Sequence, residues 1–310
     1  MTLALNLTAK ICILMLIGFV GRKAGLFDDV CKEKLSNILV NLLLPVNMLV
    51  SSQQVFKMSL LKGVGMVALI AIIYYVVALT LGNLLGRFFR YESKKSAVFT
   101  LLITFANTGF LGMPFLAQVL GDTGVLYGAV YNCVFDLLYF SYGIYIIGGK
   151  EGNESGKKGL LSNPLIWVAV ATVIIYVLPF RAPEVVTDTL GCLADAMLPV
   201  SMLIIGAEIA GIRFKSIVTD KSSYIASLLR MVLIPAVTLI LMKLTCVAYE
   251  VAVTVVLLSA MPSASLNVVM AQKYKNNPEF AATTIMQNTI LMIATLPFFT
   301  YFCETVLTGI

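Results

Sequence analysis

There is no histidine anywhere in the 310-residue chain. That removes imidazole from its chemistry: no His general base, no Ser-His triad and no His-ligated metal. Charge is scarce too, at 12% of residues against roughly 25% in an ordinary soluble domain. The six cysteines, Cys12, Cys31, Cys133, Cys192, Cys246 and Cys303, form no CxxC pair. They read as small core hydrophobes and not as a disulfide framework or a metal site. Walker A, GxGxxG, HExxH and Ser-nucleophile motifs are all missing, which argues against an enzyme and against a bound organic cofactor. No hydrophilic stretch is long enough to build a separate soluble domain.

What is present is apolar: 59% hydrophobic residues and a mean hydropathy of +0.94. This composition predicts an all-α polytopic membrane protein. The formal charge of +6 sits in short segments between apolar runs, so it bears on orientation in the bilayer and not on nucleic acid. At about 20 residues per span, ten segments fit: 3–21, 36–52, 63–86, 97–119, 124–148, 163–180, 188–210, 223–245, 250–272 and 281–305. The first is expected to be a retained helix and not a signal peptide, because Arg22 and Lys23 follow its apolar stretch instead of preceding it. One sizeable polar interruption, Gly148–Ser162, is rich in Gly, Ser and charge, the composition of a linker. It divides the chain into 1–148, 149–162 and 163–310, five segments on either side.

Internal similarity supports that division. Leu44-Pro45-Val46 precedes Met48-Leu49, and 154 residues later Leu198-Pro199-Val200 precedes Met202-Leu203. Ala117-Gln118 and Ala271-Gln272 share the same offset. Sixteen of the 22 Lys and Arg fall in the loops after segments 1, 3, 5, 7 and 9, which the positive-inside rule makes cytoplasmic. Both termini are then extracytoplasmic. With an odd number of helices in each half, the second half lies upside down relative to the first, an inverted repeat.

Two apolar stretches carry residues that interrupt helices. Thr104–Gln118 holds Asn107, Thr108, Gly109, Gly112 and Pro114; Ser259–Gln272 holds Pro262, Ser263, Ser265 and Asn267. Gly weakens a helix, and Pro removes a donor and clashes with the preceding turn. Backbone freed inside a membrane must be satisfied within the protein or line a cavity. Paired interruptions in corresponding halves mark the binding site of a secondary transporter, where half-helix N-termini attract anions and C-termini attract cations. Kinked helices packed through small residues are the competing reading.

Ionisable groups inside spans are costly, at least ~2.5–3.5 kcal/mol at the centre of a helix, and so face a partner or a cavity. Asp136, with Asn132 one turn before it, is the foremost coupling candidate, either titrating or coordinating a cation; a structural clamp is the alternative. Glu208 and Arg230 stand either at depth or close enough to a surface to snorkel, and Lys10 reads as snorkelling. Asn41, Asn47, Gln287 and Asn288 line a path or tie neighbouring helices together. The aromatic run Tyr127, Tyr131, Phe135, Tyr139, Phe140, Tyr142 and Tyr145 reads as packing.

The strings GFVGRKAGLFDD, LSNILVNLLLPVNML, FANTGFLGMPFLAQVLGDTG, NPLIW, LPVSMLIIGAEIAG and SAMPSASLNVVMAQKY together resemble the auxin efflux carrier family. That family holds bacterial organic-acid permeases and the plant PIN-type auxin exporters. The resemblance implies ten transmembrane helices in two inverted five-helix repeats, with helices 4 and 9 broken and crossing at mid-membrane. It also implies elevator-like alternating access and organic-anion substrates. The long cytoplasmic loop of the plant members is reduced here to Gly148–Ser162, as in bacterial members. By resemblance, Asn107 and Pro114, with Pro262 opposite, lie beside the substrate. The repeats are not symmetric there, since at offset 154 Pro262 aligns with Thr108.

The expected protein is therefore a secondary transporter of small carboxylate anions in a bacterial plasma (inner) membrane, driven by an ion gradient or the membrane potential. Its expected partners are the anion and the bilayer, with a homodimer left open. The expected substrate site is Asn107, Thr108, Gly109, Pro114, Pro262, Ser263, Ser265 and Asn267. Coupling by H⁺ or Na⁺ is assigned to Asp136, Asn132, Gln272 and Glu208, with Na⁺ near Ser263 and Gln272. A Na⁺ symporter of a larger, more apolar anion, as in bile-acid-type relatives, and an uncoupled anion channel or sensor are the alternatives. In a background stripped of native cysteines, single cysteines introduced between Gly148 and Ser162 should label from the cytoplasmic side alone. Labelling from outside would reverse the topology.

Overall fold

The computed structural model describes residues 2–149, 159, 162–178, 181–211 and 221–308. Among these the chain is helical, with a single isolated antiparallel bridge between Ala106 and Ser263 and no strands. The helices are α1 (Thr2–Lys23), α2 (Asp29–Ile38), α3 (Leu44–Ser51), α4 (Met58–Phe88), α5 (Ser93–Thr104), α6 (Met113–Leu138) and α7 (Pro164–Val177). They continue as α8 (Glu184–Asp195), α9 (Met197–Ala210), α10 (Lys221–Leu228), α11 (Ile234–Thr245), α12 (Tyr249–Ser259), α13 (Leu266–Lys273) and α14 (Pro278–Phe302). By length and composition six stretches could cross a membrane: Asp29–Ser51, Met58–Phe88, Thr108–Gly149, Glu184–Ala210, Lys221–Thr245 and Pro278–Leu307; the third is interrupted within α6, where Gly121 takes φ 59° and ψ −146° and the chain bends sharply. Apart from its first and last residues and Gly159, the expected linker at 149–162 lies outside the described residues, as do Arg213 and Lys215.

Local chemistry explains where these helices start and how they tolerate proline. α2 starts before the expected residue 36 because the Asp28 carboxylate caps it, accepting from the Cys31 N–H. Arg22 then ties the end of α1 to the same corner, pairing with Asp29 at 2.8 Å and donating to the Phe27 carbonyl at 2.7 Å. Pro45, Pro114 and Pro235 each stand near the first turn of α3, α6 and α11, and each is preceded by a π turn, at Leu39–Leu43, Thr108–Gly112 and Leu229–Leu233. A proline clashes with the carbonyl four residues before it; widening that turn by one residue makes room without ending the helix. Thus Pro45 and Pro235 lie inside continuous spans.

The surface confirms the environment. On α4, Val67, Ala71 and Tyr75 are fully buried, while Ile72, Ile73, Val76 and Val77 on the other side are exposed. A helix bounded by water would carry polar residues there; an apolar outer face belongs against hydrocarbon. The chain is an all-helical, multi-pass membrane protein.

Inside, the apolar residues form two clusters. The larger gathers α4, α5, α6, α12 and α14 around the two breaks; the smaller joins α3, α7 and α9 to one side of α6 through Leu43, Met113, Val125, Ala129, Ala169 and Ile204. α1 and α9 approach backbone to backbone. A Cβ on Gly18 would strike the Leu203 carbonyl, and one on Gly206 would strike the Met15 carbonyl. Replacing Gly206 with Val should therefore cost about 1–3 kcal/mol, seen as a melting midpoint several degrees lower in detergent. An unshifted midpoint would mean that this seam is looser than described.

Candidate functional site

α5 ends at Thr104, and the chain runs extended through Phe105 before the π turn at Thr108–Gly112 leads into α6. α12 likewise ends at Ser259 and α13 begins at Leu266. The two gaps cross. Asn107 N–H donates to the Pro262 carbonyl at 2.7 Å, and Ala264 N–H to the Phe105 carbonyl at 2.9 Å. Side chains brace the crossing: Ser263 Oγ donates to the Leu102 carbonyl, and Asn267 Nδ2 donates to those of Leu101 and Phe105 at 3.3 Å each. Asn288 Nδ2 donates to Ser263 Oγ at 2.7 Å. Tyr75, Phe135 and Tyr139 pack around the Phe105 ring at 4.8–5.4 Å and hold the extended residue in place; Phe135 and Tyr139 belong to the aromatic run read as packing.

Four helix ends meet here: the C-termini of α5 and α12, and the N-termini of the turn into α6 and of α13. The C-terminal ends are closed by Arg230, whose side chain is completely buried. Its Nε donates to Met261 O at 3.0 Å and its Nη2 to Ser259 O at 2.9 Å. Its Nη1 reaches the carbonyls of Ile103 at 3.1 Å and Thr104 at 3.3 Å and the Tyr74 hydroxyl at 2.8 Å. Of the two sequence readings of Arg230, depth is therefore correct and snorkelling is not. The N-terminal ends are open. Among the described residues, Gly109, Phe110, Ser265 and Leu266 find no backbone acceptor for their N–H groups, and Ser265 makes no side-chain cap.

The expected substrate residues separate into two groups. Thr108, Pro262, Ser263 and Asn267 are buried, and the polar hydrogens of Thr108, Ser263 and Asn267 are committed to the protein itself. Asn107 and Gly109 are half-buried and Ser265 is exposed; the Asn107 side chain has no partner among the described residues. Pro114 lines a cavity of about 120 Å³ with Asn47, Gln118, Asp122, Asp195 and Leu198. Of the path candidates, Asn47 borders this cavity, whereas Gln287 ties helices together through Ser223 and Ser227 at 2.9 Å each. Asn41 donates to its own helix at Asn37.

The coupling candidates are also divided. Thr108 Oγ1 donates to Asn132 Oδ1 at 2.7 Å, and Asn132 Nδ2 donates to Asp136 Oδ2 at 3.2 Å. This relay joins the first turn after the break to a buried carboxylate, 5% exposed, that has no Lys or Arg partner among the described residues. Gln272 and Glu208 stand apart. Gln272 is exposed near the end of α13, six residues beyond its start and so about 9 Å along the helix. Among the described residues no hydrogen bond joins it to Ser263. Glu208 is exposed in the last turn of α9. Among the described residues no three His, Cys, Asp or Glu side chains cluster as metal ligands.

Sequence reasoning missed the contact of Arg230 with both breaks and the part of Tyr74 in holding it. An arginine in the apolar run SLLRMVLIP was the available signal. Two buried acceptors, Asn267 Oδ1 and Asn288 Oδ1, stand without a hydrogen-bond partner beside Ser263.

Broken apolar helices that cross at a buried polar centre, in a body whose outer faces are apolar, define a membrane transporter. The chain belongs to the membrane transport protein family of the auxin efflux carrier type, whose profile matches residues 3–158 and 152–300. It is 25% identical over 292 residues to an uncharacterized transporter of Methanothermobacter thermautotrophicus, covering 93% of this chain and 94% of that one. It is 22% identical over 311 residues to the uncharacterized transporter YfdV of Escherichia coli, covering 94% and 95%. An uncharacterized transporter of Methanocaldococcus jannaschii is 24% identical over 294 residues, covering 92% and 94%.

Asn132→Leu should leave the Thr108 hydroxyl and the Asp136 carboxylate short of a partner and cost about 1–3 kcal/mol. A thermal melt in detergent measures this, and a midpoint equal to wild type would make the relay dispensable to the fold.

Proposed function

We propose that the protein is a secondary active transporter of small carboxylate anions, working by elevator-like alternating access across the plasma membrane. The observation that carries the reading is the asymmetry of the crossing. Its C-terminal, cation-attracting ends are filled by Arg230, while its N-terminal, anion-attracting ends are unsatisfied beside Asn107, Gly109 and Ser265. Helix N-termini carry about half a positive charge each and present free N–H groups, which suits a carboxylate. Asn107 and Ser265 would add side-chain donors, and Pro114 and Pro262 would border the anion. A buried carboxylate tied to the break through Thr108 and Asn132 makes Asp136 the coupling residue in this reading.

Ten spans in two inverted repeats are part of the same proposal. Moved forward by 154 residues, α5 falls on 247–258, against Tyr249–Ser259 in the chain, and residues 113–119 fall on 267–273, against Leu266–Lys273. α3 moved likewise begins at 198, beside Met197 at the start of α9. The smaller apolar cluster joins α3, α7 and α9 to α6, and in this reading it is where a scaffold would meet the body around the crossing. The Lys- and Arg-rich loops would face the cytoplasm, with both termini outside.

Uptake into liposomes of labelled mono- and dicarboxylates, with and without an inward Na⁺ or H⁺ gradient, tests the reading. The expected result is saturable accumulation of at least one carboxylate that Asn107→Ala reduces at least tenfold without lowering the melting midpoint. Uptake that is not saturable would favour a channel. Binding without exchange would favour a sensor, and accumulation with undiminished Asn107→Ala uptake would move the anion away from the crossing.

A further inference from the structure

We infer that Arg230 is the resident cation of the crossing: its guanidinium stands where a transported or coupling cation would otherwise lie, between the C-termini of the two broken helices. This rests on reading the crossing as the transport site. The geometry is specific. Four of the five acceptors are main-chain carbonyls, two at the end of α5 (Ile103 and Thr104) and two at or just past the end of α12 (Ser259 and Met261). The fifth is the hydroxyl of Tyr74 on α4. Among the described residues no carboxylate shares in the arrangement, although the side chain is fully buried.

A buried charge with no counter-ion must be balanced by other means. Helix C-termini supply one, because each carries about half a negative charge. Two of them converging on one guanidinium balance it. Conversely, without the guanidinium the four carbonyls would point their lone pairs at each other across an apolar interior. In broken-helix transporters, half-helix C-termini and unwound carbonyls coordinate the coupling cation. Here that ligand set is already occupied by a cation that is covalently attached and cannot dissociate.

Two consequences separate this from a merely structural arginine. First, the protein needs no Na⁺ or K⁺ at this position, so any coupling ion must enter elsewhere, with the Thr108–Asn132–Asp136 relay as its place. Second, removing the side chain should create a cavity lined by carbonyl oxygens that accepts a diffusible cation. The guanidinium ion fits it by construction, and urea, of similar shape but neutral, does not replace its charge.

The test uses the full purified chain in detergent at constant ionic strength and reads the melting midpoint. With the relay carboxylate removed by Asp136→Asn, the chain should melt at the same temperature in sodium, potassium and choline chloride. Arg230→Ala should melt several degrees below wild type, and low-millimolar guanidinium chloride should restore at least half of the loss saturably, while equal urea restores none. Arg230→Lys and Arg230→Met form a second pair for the case in which Arg230→Ala does not fold: Lys should recover more folded protein than Met, which fills similar volume without charge. The inference is overturned if urea rescues as well as guanidinium. Equal melting of the Lys and Met variants, or saturable stabilisation of the Asp136→Asn chain by Na⁺ over choline, would also overturn it. None of these readings depends on which anion is carried, so a failed carboxylate assay leaves this result standing, and the converse holds.

Discussion

Everything in this molecule depends on how interrupted backbone is satisfied in an apolar interior. Two helices stop short at Thr104 and Ser259, and each gap exposes carbonyls and N–H groups where no water can be assumed to reach them. The gaps solve part of the problem for each other, through the Asn107–Pro262 and Ala264–Phe105 hydrogen bonds. Ser263 and Asn267 close more of it from one break onto the last turn of α5. What the gaps cannot do for each other is supply positive charge, and Arg230 does so from a third helix. Its own π turn at Leu229–Leu233 sits immediately before Pro235, so the same proline accommodation that keeps the span continuous also surrounds the residue on which the crossing depends.

The result is a centre with a direction. Where the C-terminal ends lie, the Arg230 guanidinium closes the main-chain carbonyls of both breaks. Where the N-terminal ends lie, Asn107 and Ser265 are accessible and N–H groups wait for an acceptor. In the proposed reading such a site would discriminate by charge before shape, since an anion would complete it and a cation would add to what Arg230 already supplies. The relay to Asp136 begins at Thr108, at the open side, so events there and protonation or ion binding at the carboxylate are one hydrogen-bonded chain apart.

Much of this was legible in the sequence. The expected segments 63–86, 223–245 and 281–305 lie within Met58–Phe88, Lys221–Thr245 and Pro278–Leu307, because long apolar runs between charged loops leave little choice. Both breaks were visible from the density of Gly, Pro, Ser and Asn. Direction and depth were not. Asn267 could be placed at the crossing but not aimed, and it points inward to carbonyls and not outward to a ligand. Arg230 lies seven residues into its expected segment, about 10 Å from the end, where a long side chain can reach either a surface or the centre. Gln272 shares an offset with Gln118, yet offset fixes register along the chain and not proximity to Ser263. The Pro45 and Pro235 turns were hidden too, because a π turn has no composition of its own.

The glycine seam between α1 and α9 has a mechanical meaning. Gly18 receives the backbone at Leu203, and Gly206 receives the backbone at Met15, so each helix carries one notch and one tooth, in opposite order. Sliding either helix along the other by a single turn would bring a residue with a side chain against a carbonyl at both points at once. The pair is keyed like a mortise joint, and it can travel only as one piece. In the proposed elevator reading, α1 and α9 would stay together, and the displacement would run along contacts between side chains, such as those of the smaller apolar cluster.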